Sequence, residues 1–272
     1  MATAPMRIAD NSWARPLSKT LVIYFKEAKY EFLTRLRLPA YSLSTSLFPL
    51  IFYVLFGLVL NPKDAPVSGI AIARYLIPTY GAFGVMGASL FGTASGLAAE
   101  RGLGWLQVKR ASPMPPFAYF TAKFALGMIF STIVVLLLLL LGIVFGGVRL
   151  PVLDAAKLLA ILVAGSLPFS AMGLAIGYFV GPNSAVATIN LIYLPISFCS
   201  GLWVPIMFLP KLLRQVAHVL PPYHLAQLAL GAVGAGQHES NWIHWEALIG
   251  FSLICLGVAR LGFQRDEGKM YG

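Results

Sequence analysis

A chain of 272 residues that is 58% hydrophobic and 11% charged, with a mean hydropathy of +0.78, lies far outside the balance of a soluble domain and points to lipid as its solvent. The net charge of +10 is not laid out for nucleic acid, since no basic run is interleaved with aromatics outside the apolar segments. It fits Lys and Arg gathered in cytoplasmic loops against anionic lipid. Both cysteines, Cys199 and Cys255, sit inside apolar stretches, which excludes a disulfide framework and a Cys-based zinc motif.

The first 38 residues contain no short apolar core followed by a small-residue cleavage site, so no removable secretory signal is expected. From Leu17 to Leu36 the residues Leu17, Leu21, Tyr24, Phe25, Ala28, Phe32 and Leu36 share one helical face, with Lys19, Lys26, Lys29 and Arg37 mostly opposite. This predicts an amphipathic helix in the membrane interface, ended by Pro39; Arg35 breaks its apolar face.

Apolar runs then follow at about 41–60, 75–99, 117–147, 155–180, 184–208 and 243–263, predicting six spans. The uncharged stretch from Leu158 to Pro210 is long enough for two of them, with Gly181-Pro182-Asn183 as the turn between. Twelve Lys or Arg fall on the side of the termini, including Arg101, Lys109, Arg110, Arg265 and Lys269. Six fall on the other: Lys63, Arg74, Arg149, Lys157, Lys211 and Arg214. The excess predicts both termini in the cytoplasm. Gly84, Ala88, Gly92 and Gly96, and again Gly173, Gly177 and Gly181, recur every four residues, a spacing that lets helices approach closely in lipid.

No ionisable residue is expected near the bilayer midplane. Glu100, Lys123, Glu246 and Arg260 all map near span ends, where long side chains reach water, so ion-coupled transport is disfavoured. A phosphate-cradling G-x-x-x-x-G-K-[ST] loop is absent, because Gly268-Lys269-Met270 lacks the hydroxyl and the preceding strand. A pump built on this chain therefore takes its ATP hydrolysis from another one. The segment Glu100 to Pro113, between spans two and three, mixes charge with apolar residues. It reads equally as a basic loop ending a span or as a docking piece with Trp105 and Leu106 as anchors.

These features resemble the membrane subunits of type-2 ATP-binding-cassette exporters, which include antibiotic-resistance and cell-surface polysaccharide permeases. The resemblance rests on the basic amphipathic helix running into the first span. It rests further on Glu100-Arg101-Gly102, Leu106 and Lys109-Arg110-Ala111-Ser112-Pro113, which look like a coupling helix. The third element is Ser200-Gly201, Pro205, Leu209-Pro210, Leu213, Val216-Ala217 and Pro221-Pro222-Tyr223, after the fifth span.

The likeness implies an all-α polytopic fold of six transmembrane helices forming one domain over 1–272. It divides into a cytoplasmic connecting helix (1–39), spans one and two (40–99), a coupling helix (100–116), spans three to five (117–206), an outer re-entrant region (207–240), and span six with a cytoplasmic tail (241–272). It also implies ATPase coupling through Glu100, Arg101, Gly102, Trp105, Leu106, Lys109 and Arg110, with ATP and magnesium held by a cytoplasmic partner ATPase and no cofactor or metal on this chain. Two permease copies would flank the pathway in a bacterial inner membrane. Phe48, Phe52, Phe91, Tyr193 and Phe198 are candidates for an aromatic substrate path, and Pro205, Pro210, Pro221, Pro222, Tyr223 and His224 for an outer gate.

The expected cargo is an amphipathic or hydrophobic drug or natural product, with a polysaccharide or lipid-linked glycan as the alternative, since aromatic faces also stack on sugars. Two other classes fit the sequence less well. Gly92-Thr93-Ala94-Ser95-Gly96 superficially resembles the nucleophile motif of an intramembrane serine protease, but a base must lie within hydrogen-bond reach, and His244 is expected at the opposite face. A membrane scaffold would need no coupling segment. The four histidines, His218, His224, His238 and His244, are irregularly spaced and read as surface residues, not a metal site.

Overall fold

The computed structural model describes residues 17–62, 64–112, 114–115, 117–236 and 240–268. In chain order these form α1 (Leu17–Leu36), α2 (Pro39–Tyr53) with a π-helical extension Val54–Val59, a hairpin of β1 (Pro66–Val67) and β2 (Ile70–Ala71), α3 (Ile72–Gly102) and α4 (Trp105–Ala111). There follow α5 (Ala118–Val144), α6 (Val152–Ala164), α7 (Ser166–Phe179), α8 (Ala185–Cys199), a 3-10 turn Ile206–Phe208, α9 (Lys211–Ala217), α10 (Pro221–Ala232) and α11 (Asn241–Gly268). The fold is an all-α membrane fold. The one hairpin among the described residues, absent from the sequence expectation, turns on Ser68 and Gly69, both at positive φ as a two-residue turn demands.

Five stretches are long and apolar enough to span: Pro39–Val59, Ile72–Gly102, Ala118–Val144, Val152–Phe179 and Asn241–Asp266. The fourth joins α6 to α7 through Gly165 alone; Pro168 has no N–H for the carbonyl of Ala164, so the ladder breaks there. The expected fifth span, 184–208, is shorter than its apolar run. Helix α8 stops at Cys199, where Gly201 adopts a φ of 73° and the N–H groups of Gly201 and Leu202 close back onto the carbonyls of Phe198 and Ser197. Its 15 residues rise roughly 22 Å, less than the hydrocarbon thickness of about 30 Å. The chain then forms α9 and α10, and every residue from Pro222 to Leu230 is buried. Pro221 and Pro222 start α10, where a missing N–H leaves no intrahelical bond unmade.

Helix α3 is the axis. It contacts α2, α5, α7, α8 and α10, and most of its residues are buried. Its backbone is also a polar anchor in an apolar interior. The hydroxyl of Tyr41 donates to the carbonyl of Ala88 at 2.9 Å, that of Tyr53 to Ala73 at 3.0 Å, and that of Tyr193 to Phe83 at 3.1 Å. A helix carbonyl already accepts the N–H four residues on, and a side chain there crowds its second lone pair. Gly92 and Gly87 occupy those positions for Ala88 and Phe83. A Cβ on them would stand 2.7 Å from the Tyr41 hydroxyl and 2.8 Å from that of Tyr193. The small-residue stripe thus admits hydroxyls as well as helices. Gly173 and Gly177 serve the closer approach, lying against Thr93, Ala94 and Leu97 of α3.

Gly92→Ala and Tyr41→Phe should each cost about 1 kcal/mol, since each removes the same bond. The double variant should lose less than the sum of the two, as read by reversible unfolding in detergent micelles.

Candidate functional site

Long helices α3, α7 and α11 end, and α2, α5 and α8 begin, at the end of the bundle that carries α1 and α4. Helix α3 is stopped by Gly104, whose φ of 74° suits glycine, with the N–H of Leu103 bonded to Ala99 and that of Gly104 to Arg101. The reversal sets α4 off as a separate helix of seven residues.

A chain of charges ties this end together. Lys123, in the second turn of α5, is fully buried; its Nζ donates to Glu31 of α1 at 2.7 Å and to Glu100 of α3 at 2.6 Å. The other oxygen of Glu100 lies 4.0 Å from Lys109 of α4, and the Lys109 ammonium meets Glu27 of α1 at 2.5 Å. Arg35 closes the far end on Glu31 at 3.8 Å. Tyr119 presents its ring to both lysines, at 4.9 Å from Lys109 and 5.2 Å from Lys123. Gly96 leaves the room: a Cβ there would collide with the Arg35 guanidinium and stand 3.1 Å from the Lys123 ammonium. Burial lowers the pKa of Lys109, but Glu100 and Glu27 raise it by more, so it sits above the ordinary lysine value. The contribution of that pair to stability is complete below the ordinary lysine pKa and is lost only as pH rises through the raised one.

The expectation that Lys123 and Glu100 reach water at a span edge is therefore corrected. Lys123 points inward, because α1 folds across α5 and brings two carboxylates from distant sequence to it. The predicted apolar face of α1 is divided as well. Tyr24, Ala28 and Phe32 turn partly inward beside Glu27, Glu31 and Arg35, whereas Leu17, Leu21, Phe25 and Leu36 are exposed. Glu246 and Arg260 lie on the exposed surface of α11.

The seven predicted coupling residues separate by role. Glu100, Arg101 and Gly102 form the last turn of α3 and not part of α4. Arg101 faces its own chain, donating to Asp266 at 2.7 Å and to the carbonyl of Gly177 at 2.9 Å. Gly102 admits Pro182 of the α7–α8 turn. Leu106 is 6% exposed and packs with Leu97, Tyr119 and Leu174, so it is an internal anchor, whereas Trp105 is 57% exposed. Lys109 belongs to the ion chain. Arg110 is in α4 by its backbone, and its side chain lies outside the described residues. Leu103 and Val108, not singled out from sequence, are exposed beside Trp105 and complete an apolar face.

Of the aromatic path, Phe48, Phe91 and Tyr193 line one cleft of about 520 Å³ between α2, α3 and α8. Its walls carry Tyr41, Ser44, Thr45, Ser95 and Asn190 but no charged group. Phe52 and Phe198 lie outside it. They meet on Trp203, with ring centroids 5.0 and 6.3 Å away, and the Trp203 carbonyl accepts the Tyr80 hydroxyl at 3.1 Å.

At the opposite end the gate residues act mostly as helix starters. Pro205 precedes the 3-10 turn, Pro210 precedes α9, and Pro221 and Pro222 open α10. Tyr223 is fully buried. The reading of the histidines as scattered surface groups is corrected for two of them. His224 and His244 are buried and meet Nδ1 to Nδ1 at 2.9 Å, brought together when α10 folds back on α11. His224 Nε2 lies 3.0 Å from the carbonyl of His218, which can only accept, so a neutral His224 accepts at Nδ1 and His244 donates. The His218 ring lies tilted against Tyr223, with centroids 4.7 Å apart, and His238 lies outside the described residues. His244 is thereby held at the end of the bundle away from Ser95, whose hydroxyl donates to the carbonyl of Phe91, so the pair does not form a nucleophile and base.

Sequence reasoning missed Glu27, Glu31, Asp266 and Trp203. The signal for the acids was present: Glu31 and Arg35, four residues apart, interrupt an apolar helix face, and Lys123 interrupts an apolar run.

Lys123→Met should destabilise the protein by about 3–5 kcal/mol in micellar unfolding, because it removes the buried cation that Glu31 and Glu100 share. Lys123→Met with Glu31→Gln and Glu100→Gln should recover most of that loss.

Residues 27–233 match the family model described as ABC-2 type transporter. The chain is also 25% identical over 232 residues to the "Putative transport permease YvfS" of Bacillus subtilis (strain 168), covering 85% of this chain and 93% of that one. The matched span runs from Glu27, the first acid of the ion chain, through helix α10. An ATP-binding-cassette protein is the partner such a permease implies. With the family model covering most of its length, this chain belongs to the ABC-2 type transporters as a membrane-embedded permease subunit.

Proposed function

We propose that this permease exports an uncharged or weakly polar amphipathic molecule, with α4 as the contact through which a cytoplasmic ATPase drives it. The observation that carries the reading is the construction of α4. Gly104 detaches it from α3, Leu103, Trp105 and Val108 form an exposed apolar face, and Lys109 ties its inner side to the body. An exposed tryptophan flanked by aliphatics on a short helix is the kind of anchor that seats in a partner's pocket. Force applied there reaches α1, α3 and α5 together through Lys109, Glu100 and Lys123. These helices therefore respond as a body, biased by nucleotide between two arrangements.

The orientation follows the charge distribution: the α1 and α4 end, with both termini, lies in the cytoplasm of a bacterial inner membrane. The cleft between α2, α3 and α8 supplies the substrate surface. Its hydroxyls, amide and aromatic rings favour a molecule with scattered polar groups and no net charge. Leu43, Leu47 and Ile51 of α2 are exposed, an apolar surface that supports a second permease copy completing the pathway as a homodimer.

Trp105→Ala is expected to lower ATP-driven transport at least about tenfold, the loss of a hot-spot side chain worth more than about 1.4 kcal/mol, with the protein still correctly inserted. It should also weaken co-purification of the ATPase from gently solubilised membranes. Unchanged transport and unchanged ATPase recovery in this variant would remove α4 from the coupling contact. Repeated recovery of wild-type protein with no ATPase at all would return weight to a scaffold role.

A further inference from the structure

We infer that the contact between His224 and His244 is a proton-operated latch that holds α10 to α11 at the end of the bundle away from α4. The rings meet Nδ1 to Nδ1 at 2.9 Å and are 8% and 2% exposed, so the contact is all but closed to water. Its direction is set by His224 Nε2, which bonds the carbonyl of His218 at 3.0 Å and so carries hydrogen; His224 Nδ1 then accepts and His244 Nδ1 donates. A first proton fits this arrangement. It enters at Nε2 of His244 and leaves the bond between the rings in place, now with a charged donor. A second proton does not fit. With both rings protonated each Nδ1 carries hydrogen, neither can accept, and two positive charges face each other in a buried contact.

The closed latch therefore holds at most one added proton, whereas two separated imidazoles in water hold two below about pH 6.5. Because the open form binds more protons, acid shifts the pair from closed to open. Once both open rings are charged and the closed pair holds one proton, the open-to-closed ratio rises about tenfold per pH unit of acidification. The elements packed against α10 bring no competing switch among their described residues. Helix α6 carries Asp154 and Lys157, which pair with each other at 3.6 Å, and Glu246 of α11 is exposed. Helix α3 carries Arg74, whose charge is permanent, and Tyr75; that phenol and Tyr223, 5.4 Å from His224, ordinarily titrate near about pH 10. On the α9 side the exposed His218 ring bonds the Arg214 carbonyl through Nδ1 at 2.6 Å, and it is the His218 carbonyl that holds His224. His218 thus titrates beside the latch without belonging to it. That the latch senses the outer medium rests on the orientation proposed above.

The test uses the full chain with Cys199→Ser and Cys255→Ala, carrying nitroxide labels on Val219→Cys and Trp242→Cys, positions 81% and 75% exposed on either side of the latch. In phosphatidylcholine nanodiscs both faces meet the same buffer, so the result does not depend on orientation. Distances between the labels are measured by double electron–electron resonance from about pH 8 to about pH 4.5, a range that spans the ordinary histidine value. A second, longer-distance population should appear below about pH 6.5 and grow up to about tenfold per pH unit relative to the first. In His244→Asn it should be absent at every pH, because the amide donates to a neutral His224 and can turn its oxygen to a protonated one, keeping the contact closed. An unfolding midpoint at about pH 8 equal to that of the parent checks that this variant keeps its fold. In His218→Gln the longer population should persist. A single distance at all pH values in the parent would overturn the inference. So would opening that survives His244→Asn, which places the sensing group elsewhere, or opening lost in His218→Gln, which places it on His218.

Discussion

Lipid offers no hydrogen bonds, so every polar group carried into this bundle must find its partner in the protein, and α3 is where most of that matching is done. It lends carbonyls to Tyr41, Tyr53 and Tyr193, and its own Tyr80 reaches the carbonyl of Trp203. Because the donors arrive from α2 and α8, and the acceptor for Tyr80 from the loop after α8, the bonds hold the walls of the cleft to one central rod. The cleft's shape is accordingly a property of α3 and not of the more exposed helices that line its other sides.

Charge is handled by the same logic at the α4 end. A lysine without exposed surface is tolerable because two carboxylates reach it, and those carboxylates come from helices that have no other reason to be rigidly joined. Buried ion pairs contribute little net stability compared with apolar packing, but they fix which groups must be neighbours. Here they fix α1, α3, α4 and α5 relative to one another, so that a short helix held to the rest by little apolar surface is still mechanically continuous with the bundle.

Much of this was legible in the sequence. Six apolar runs marked the helices that follow, and Pro39 marked the end of the amphipathic helix, because span length and proline chemistry are local properties; that Pro221 and Pro222 start a helix came only with the fold. The division of α6 from α7 at Pro168 and the early stop of α8 at Gly201 depend on backbone events within otherwise uniform apolar runs, and hydropathy does not register them. The ion chain was hidden for a different reason. Glu31 and Lys123 are 92 residues apart, and a charge on an apolar face gives no indication of its partner. Leu106 was misjudged on the same ground: a leucine next to an exposed tryptophan on a short helix turns inward by helical period alone, into a pocket built from α3, α5 and α7. The meeting of His224 with His244 likewise required α10 to return to α11, which the spacing of the histidines does not encode.

One property of the ion chain reaches beyond packing. Its members are three acids, Glu27, Glu31 and Glu100, and three bases, Arg35, Lys109 and Lys123, so the group as a whole is electrically neutral. The six side chains therefore add no net charge to the α4 end, and the charge that end presents is set by residues outside the chain, such as the exposed Lys19, Lys26 and Lys29 of α1.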